Sequence, residues 1–118
     1  MTALPESGRL DWSGVRVAVA GLGIAGFACA DALLQRNATV TVVDGQDGPE
    51  QRNKAQILDV LGATVRLGDG DTLPEADLLV VSPGLRPSAA ITTAALAAGM
   101  PVWGELELAW RLRDPHGA

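Results

Sequence analysis

Glycines 21, 23 and 26 are the residues whose spacing points first to chemistry. In Val17-Ala18-Val19-Ala20-Gly21-Leu22-Gly23-Ile24-Ala25-Gly26 a short apolar run enters G-x-G-x-x-G and then a helical pattern. An acid, Asp44, follows eighteen residues after Gly26. A turn of this kind holds a phosphate at a helix N-terminus, where unpaired amides and the helix dipole supply positive potential. Gly21 permits the tight turn, Gly23 lets the backbone approach a phosphate, and Gly26 lets the helix pack close to the strand. The amides of Ile24 and Ala25 then point at a bound diphosphate. The competing reading is that the glycines serve strand–helix packing only. The strand before them, the helix after them and the acid beyond favour ligand binding.

Asp44 closes the second predicted strand. In a dinucleotide-binding domain an acid here binds the ribose hydroxyls, and the alternative is a solvated loop acid. Gly45 and Gln46 follow it and offer no cation for a second phosphate, which argues against NADP. Ser82-Pro83-Gly84 leaves the fourth predicted strand, which is expected beside the first. That is the topological switch point, where open α/β sheets bind ligands, although an ordinary strand exit reads equally well from the local sequence. Arg86 and His116 read as solvated side chains, and Trp103 and Trp110 as packing on the sheet edge and the last helix. Cys29 is the single cysteine, so an internal disulfide or a multi-cysteine metal site is excluded. Within the first helix it reads as a small buried residue.

The elements that must position these residues alternate regularly. A polar, loose lead-in covers residues 1–14, and a strand over Arg16–Ala20 follows. A helix is predicted over Ile24–Arg36, with Phe27, Ala30, Leu33 and Leu34 on one side. Strand two is Thr39–Val43. Glu50–Leu61 reads as a helix with Ile57, Leu58 and Leu61 on its apolar face and Gly62 as its stop. Thr64–Leu67 is a short third strand, and Asp77–Ser82 a buried fourth. A helix over Ala89–Ala98 has Ser88 as N-cap and Gly99 as stop. Pro101–Trp103 is a last strand, and Glu105–Arg113 a final helix with Leu106, Ala109, Trp110 and Leu112 apolar. The alternation predicts an α/β fold: a Rossmann-like open parallel sheet of about five strands with helices on both faces. The domain is expected over residues 15–113, with 114–118 a tail or truncated linker.

Composition agrees. The 118 residues are 47% hydrophobic with no Tyr and one Phe, so the core must come from Val, Leu, Ile and Ala. A net charge of −5, with one Lys beside eight Arg and no basic cluster, argues against a nucleic-acid partner. No apolar run approaches membrane-spanning length and no signal peptide is read, so no membrane partner and a cytoplasmic location are expected. There is no G-x-x-x-x-G-K-[ST], no histidine pair, no nucleophile elbow and no metal-ligand cluster. The sequence therefore predicts a binding domain with no catalytic residue, no metal and no cofactor of its own.

Taken together, Val19 to Gly26, Val42-Val43-Asp44, Val80-Val81-Ser82-Pro83-Gly84 and Gly104-Glu105-Leu106-Glu107-Leu108 resemble the N-terminal domain of the Mur ligases, over about Leu10 to Arg113. The likeness is strongest to the branch that adds D-glutamate in peptidoglycan synthesis. The Ser-Pro-Gly loop and the Gly-Glu-Leu-Glu-Leu segment are more specific than the glycine turn. The resemblance implies that UDP-N-acetylmuramoyl-L-alanine is the bound partner. It implies that the Ile24 and Ala25 amides, with Gly23 and Gly26, hold its diphosphate. Asp44 would recognise the uracil edge, and the Ser82-Pro83-Gly84 loop would line the uridine and sugar-phosphate site. The family often has a hydroxyl residue and then a basic one after the acid, where this chain has Gly45 and Gln46. It further implies absent central and C-terminal domains, with ATP and Mg2+ serving the full-length enzyme and this fragment inactive alone. An NAD-binding oxidoreductase domain and a non-enzymatic nucleotide-binding regulatory domain are the alternatives.

Overall fold

A computed structural model of the chain describes residues 4–5, 11–82 and 89–113. Nine elements follow in order: β1 Arg16–Ala20, α1 Ile24–Gln35, β2 Thr39–Asp44, α2 Pro49–Val60, β3 Thr64–Leu67, β4 Leu78–Val81, α3 Ala90–Ala97, β5 Val102–Gly104 and α4 Glu105–Leu112. The strands form one sheet in the order β3-β2-β1-β4-β5, and every pairing is parallel. The expected architecture is present, and element limits differ from the sequence pattern by a residue or two.

Handedness explains which face each helix takes. The β1-α1-β2 and β2-α2-β3 crossovers step one way along the sheet, and β4-α3-β5 steps the other way. Right-handed connections therefore put α1 and α2 on one face and α3 on the opposite face. The core divides accordingly. Val17 and Val19 of β1 lie beside Val40 and Val42 of β2 and Leu78 and Val80 of β4. This layer is buried with Ala30 and Leu33 of α1, Leu58 of α2, and Leu108 and Leu112 of α4. On the other face Ala18, Ala20, Val43 and Leu79 pack with Ile91 and Ala95 of α3. No helix joins β3 to β4. Leu73 and Ala76 from that connection pack onto the second core instead. Burial on both faces is why β1, β2 and β4 read as continuous apolar runs.

Helix ends are closed by the same device three times. After α1, Ala38 N–H donates to the Leu33 carbonyl at 3.1 Å and Asn37 N–H to that of Leu34 at 3.0 Å. Gly62 and Gly99 occupy the place of Asn37 after α2 and α3, with Ala63 bonded to Leu58 and Met100 to Ala95, both at 2.9 Å. These are Schellman motifs, in which orphan carbonyls of the last turn find donors. The glycine stops were legible in the sequence; Asn37, at φ 69°, was not.

Several expectations are corrected. Trp12, placed by its polar neighbours in the lead-in, is 1% exposed and belongs to the first core. Its backbone N–H donates to the Arg36 carbonyl at 2.7 Å, and its ring meets Trp103 edge-on at 6.2 Å. Ile57 and Leu61 are about half exposed, leaving Leu58 as the buried residue of α2. The covered face of α4 is Leu108 and Leu112, while Leu106 and Trp110 face outward. Trp110 packs against its own helix end instead, with the Arg113 guanidinium 3.6 Å from its ring centre. Ala89 stands at the N-cap of α3, and Ser88 lies outside the described residues. Cys29 is only half-buried. At the amino ends of the central strands, Asp77 is 4% exposed and accepts from the Arg16 amide at 2.9 Å and its guanidinium at 3.3 Å. That pair joins β1 to the start of β4, remote from the glycine turn.

Candidate functional site

The site begins with the exit of β1. Gly21 takes φ 108°, a left-handed conformation that side chains disfavour, and its N–H donates to the Val43 carbonyl at 2.8 Å. The chain turns there and enters α1 at Ile24. Gly26 sits where the returning helix meets that turn: a Cβ on it would lie 2.0 Å from the Gly21 carbonyl oxygen. Gly26 is thus a packing glycine, buried beneath the turn and not at the cleft surface. Gly23 caps α1 in extended conformation with no side-chain cap, and a Cβ on it would meet nothing within 4 Å. The amides of Ile24 and Ala25 in the first turn have no intrahelical acceptor. The Ile24 side chain is 85% exposed and leaves the turn uncovered.

Asp44 fastens this turn from the neighbouring strand. Its Oδ2 accepts from the Leu22 amide at 2.8 Å, and its Oδ1 from the Gln46 amide at 2.8 Å. One carboxylate therefore holds both the β1–α1 turn and the loop after β2. Each oxygen keeps a lone pair for a further donor. Gly45 packs against the loop after β3, where a Cβ on Gly70 would lie 2.9 Å from its nitrogen. Gln46 Oε1 accepts from Gln51 Nε2 at 3.1 Å, and Asp47 pairs with Arg52 at 2.9 Å. The hydrogen bond and charge of Arg52 hold the Asp47 carboxyl below its ordinary value.

Between these parts lies a cleft of about 400 Å3. Ala20, Gly21, Leu22, Gly23 and Ser82 form one side, Asp44 lies at its floor, and Gln46, Glu50, Gln51 and Lys54 form the other. Ser82 sits against the turn, since a Cβ on Gly21 would lie 3.1 Å from its Oγ. The structure thus gathers Gly23, Asp44, Gln46 and Ser82 around one opening, while Ile24 and Ala25, next in the chain after Gly23, are not among its lining residues. Gly26 and Gly45 lie behind the lining. Pro83 and Gly84, like Arg86 and His116, are outside the described residues. Glu50, Gln51 and Lys54 were missed by sequence reasoning. The signal for them is their position in the first turns of α2, directly after the acid's loop.

The cleft stands at the carboxyl ends of β1 and β4, where the strand order reverses. A helix N-terminus faces it and an acid closes the second strand. Fold and cleft together define a domain of Rossmann-like α/β fold, with its cleft where such folds place a ligand. A family model, the N-terminal domain of MurD-like Mur ligases, matches residues 15–104. The chain belongs to that family.

Relatives agree. The UDP-N-acetylmuramoylalanine--D-glutamate ligase of Streptomyces coelicolor is 52% identical over 108 residues, 91% of this chain and 23% of that protein. The ligase of the same name from Thermobifida fusca is 51% identical over 105 residues, 88% of this chain and 23% of that protein. The chain thus spans about a quarter of their length. Among solved structures, a UDP-N-acetylmuramate:L-alanyl-gamma-D-glutamyl-meso-diaminopimelate ligase from Neisseria meningitides superposes with a TM-score of 0.62 at 14% identity. The match covers 80% of this chain and 30% of that one. L-tryptophan dehydrogenase from Nostoc punctiforme reaches 0.56 at 15% identity, covering 86% and 37%. Both share the fold, and fold alone does not separate ligases from dehydrogenases. Among the described residues no helix is long and apolar enough to cross a membrane, and no group of three or more His, Cys, Asp or Glu is placed to hold a metal ion.

Proposed function

We propose that this chain is the substrate-binding N-terminal domain of an ATP-dependent ligase that joins D-glutamate to UDP-N-acetylmuramoyl-L-alanine. The observation that carries this reading is the cleft at the switch point of a chain half-identical to ligases of that name. The unpaired amides of Ile24 and Ala25 bind the diphosphate, helped by the dipole of α1. Gly23 leaves room for its approach. Asp44, with Gln46 beside it, faces the uracil edge through the lone pairs its two amide partners leave free. Ser82, followed by Pro83 and Gly84, lines the uridine and sugar-phosphate side. Gly45 acts through the fit of the two loops and not by touching substrate.

In the whole enzyme the substrate carboxylate is activated as an acyl phosphate and attacked by the D-glutamate amine. ATP and Mg2+ serve that step in domains beyond this one, and no group in these 118 residues is assigned to it. Binding of the UDP end anchors the substrate while the reacting end extends towards the other domains. An NAD-binding role is disfavoured because the similar proteins at half identity are ligases, whereas the dehydrogenase likeness is one of fold.

The test is a titration of the chain, followed by amide NMR, with UDP-N-acetylmuramoyl-L-alanine, UDP and NAD. Shifts of Gly23, Ile24, Ala25 and Gln46 amides on adding the UDP compounds are expected. Preferential binding of NAD would overturn the reading.

A further inference from the structure

We infer that Lys54 supplies the side-chain cation for the ligand's phosphates, reaching the cleft from α2. This rests on the reading of the cleft as a UDP-substrate site. The two residues after Asp44 provide no cation, and the lining carries two carboxylates, Asp44 and Glu50. A diphosphate brought into such a cleft needs compensation beyond the helix dipole, which falls off within one turn. Among the described lining residues Lys54 is the one cation.

The neighbouring charges single it out. Arg52, two residues earlier, is held by Asp47 through bonds of 2.9 and 3.3 Å and does not line the cleft. Glu50, Gln51 and Lys54 share one face of α2, three and four residues apart, and that face is the cleft wall. Gln51 is tied back to Gln46, whereas Lys54 forms no ion pair with Glu50 or any other described residue. Lys54 is partly exposed, lines the cleft and carries a compact charge on a flexible stem, so it is available to a phosphate where Arg52, already bonded to Asp47, is not.

The experiment measures UDP affinity by calorimetry at low and high salt for the parent chain and for Lys54→Gln, Lys54→Arg and Arg86→Gln. The expected result is a loss of about tenfold in Lys54→Gln at low salt, less than about threefold in Lys54→Arg, and a flatter salt dependence in Lys54→Gln. Affinity unchanged in Lys54→Gln overturns the assignment and leaves the cleft reading intact. So does an equal loss in Lys54→Arg, or a loss and flattened salt dependence confined to Arg86→Gln. Failure of the parent chain to bind UDP at millimolar concentration overturns the cleft reading and this inference with it.

Discussion

The Asp44 carboxylate and the Leu22 amide, twenty-two residues apart, are joined by a 2.8 Å hydrogen bond across the floor of the cleft. The acid that a dinucleotide fingerprint assigns to a ligand is first of all a clamp on the glycine turn. Asp44→Ala should therefore lower stability as well as affinity, by about 1–2 kcal/mol for two charge-assisted bonds at a half-exposed site. Urea unfolding checks the first effect, and a midpoint equal to that of the parent would show that the clamp contributes nothing.

Gly26 and Gly23 predict opposite outcomes from the same substitution. Alanine at 26 places a methyl 2.0 Å from the Gly21 carbonyl oxygen, so strand and helix must separate. A cost above about 2 kcal/mol is expected. Alanine at 23 meets nothing within 4 Å and should cost less than about 1 kcal/mol, the loss of a tolerable N-cap. Its effect should appear in UDP affinity instead. Thermal melts of the two variants side by side separate the packing glycine from the glycine proposed to face the ligand.

Trp12 gives a third test. It is fully buried against Trp103, so Trp12→Ala should cost about 3–5 kcal/mol and leave little folded protein. The indole Nε1 has no partner in the core, so Trp12→Phe loses no hydrogen bond and should cost much less. Circular dichroism melts decide between them. Equal losses would show that the indole's full size is needed.

Cys29 carries the pH dependence. Burial, with a smaller contribution from the Glu105 charge, pushes its thiol from 9.0 up to about 11. The native thiol therefore keeps its proton where the unfolded one has lost it. The associated stability is complete below pH about 9 and is lost as the pH rises towards 11. Cys29→Ala should flatten that part of the stability profile. Alkylation of native Cys29 at pH 8 should be on the order of a hundredfold slower than that of the unfolded chain.

What the sequence revealed and what it hid follow from range. Val17 to Ala20, Thr39 to Val43 and Leu78 to Val81 announce buried parallel strands because both faces of each are covered, so the pattern needs no partner to be read. Gly62 and Gly99 announce helix ends for an equally local reason. Exposure of Ile57 and Leu61 was hidden because both flank the buried Leu58 on the helix surface, and that of Leu106 and Trp110 because α4 carries two opposed apolar stripes, of which only Leu108 and Leu112 are covered. Trp12 was hidden by polar neighbours, since its burial depends on Trp103, ninety-one residues away. In the cleft, the glycines and Asp44 are a motif and can be seen. Lys54 is brought there by the rotation of α2 about its axis, and the engagement of Asp44 with Leu22 depends on strand register.

The two walls of the cleft differ in material. One is largely main chain: the turn from Ala20 to Gly23, with Ser82 beside it. The other is side chain: Gln46, Glu50, Gln51 and Lys54. Substitution cannot easily alter the first wall without breaking the fold, whereas the second can be rewritten one residue at a time. If the cleft holds the proposed diphosphate, the second wall would set how strongly and at what ionic strength it is held, while the first would fix where.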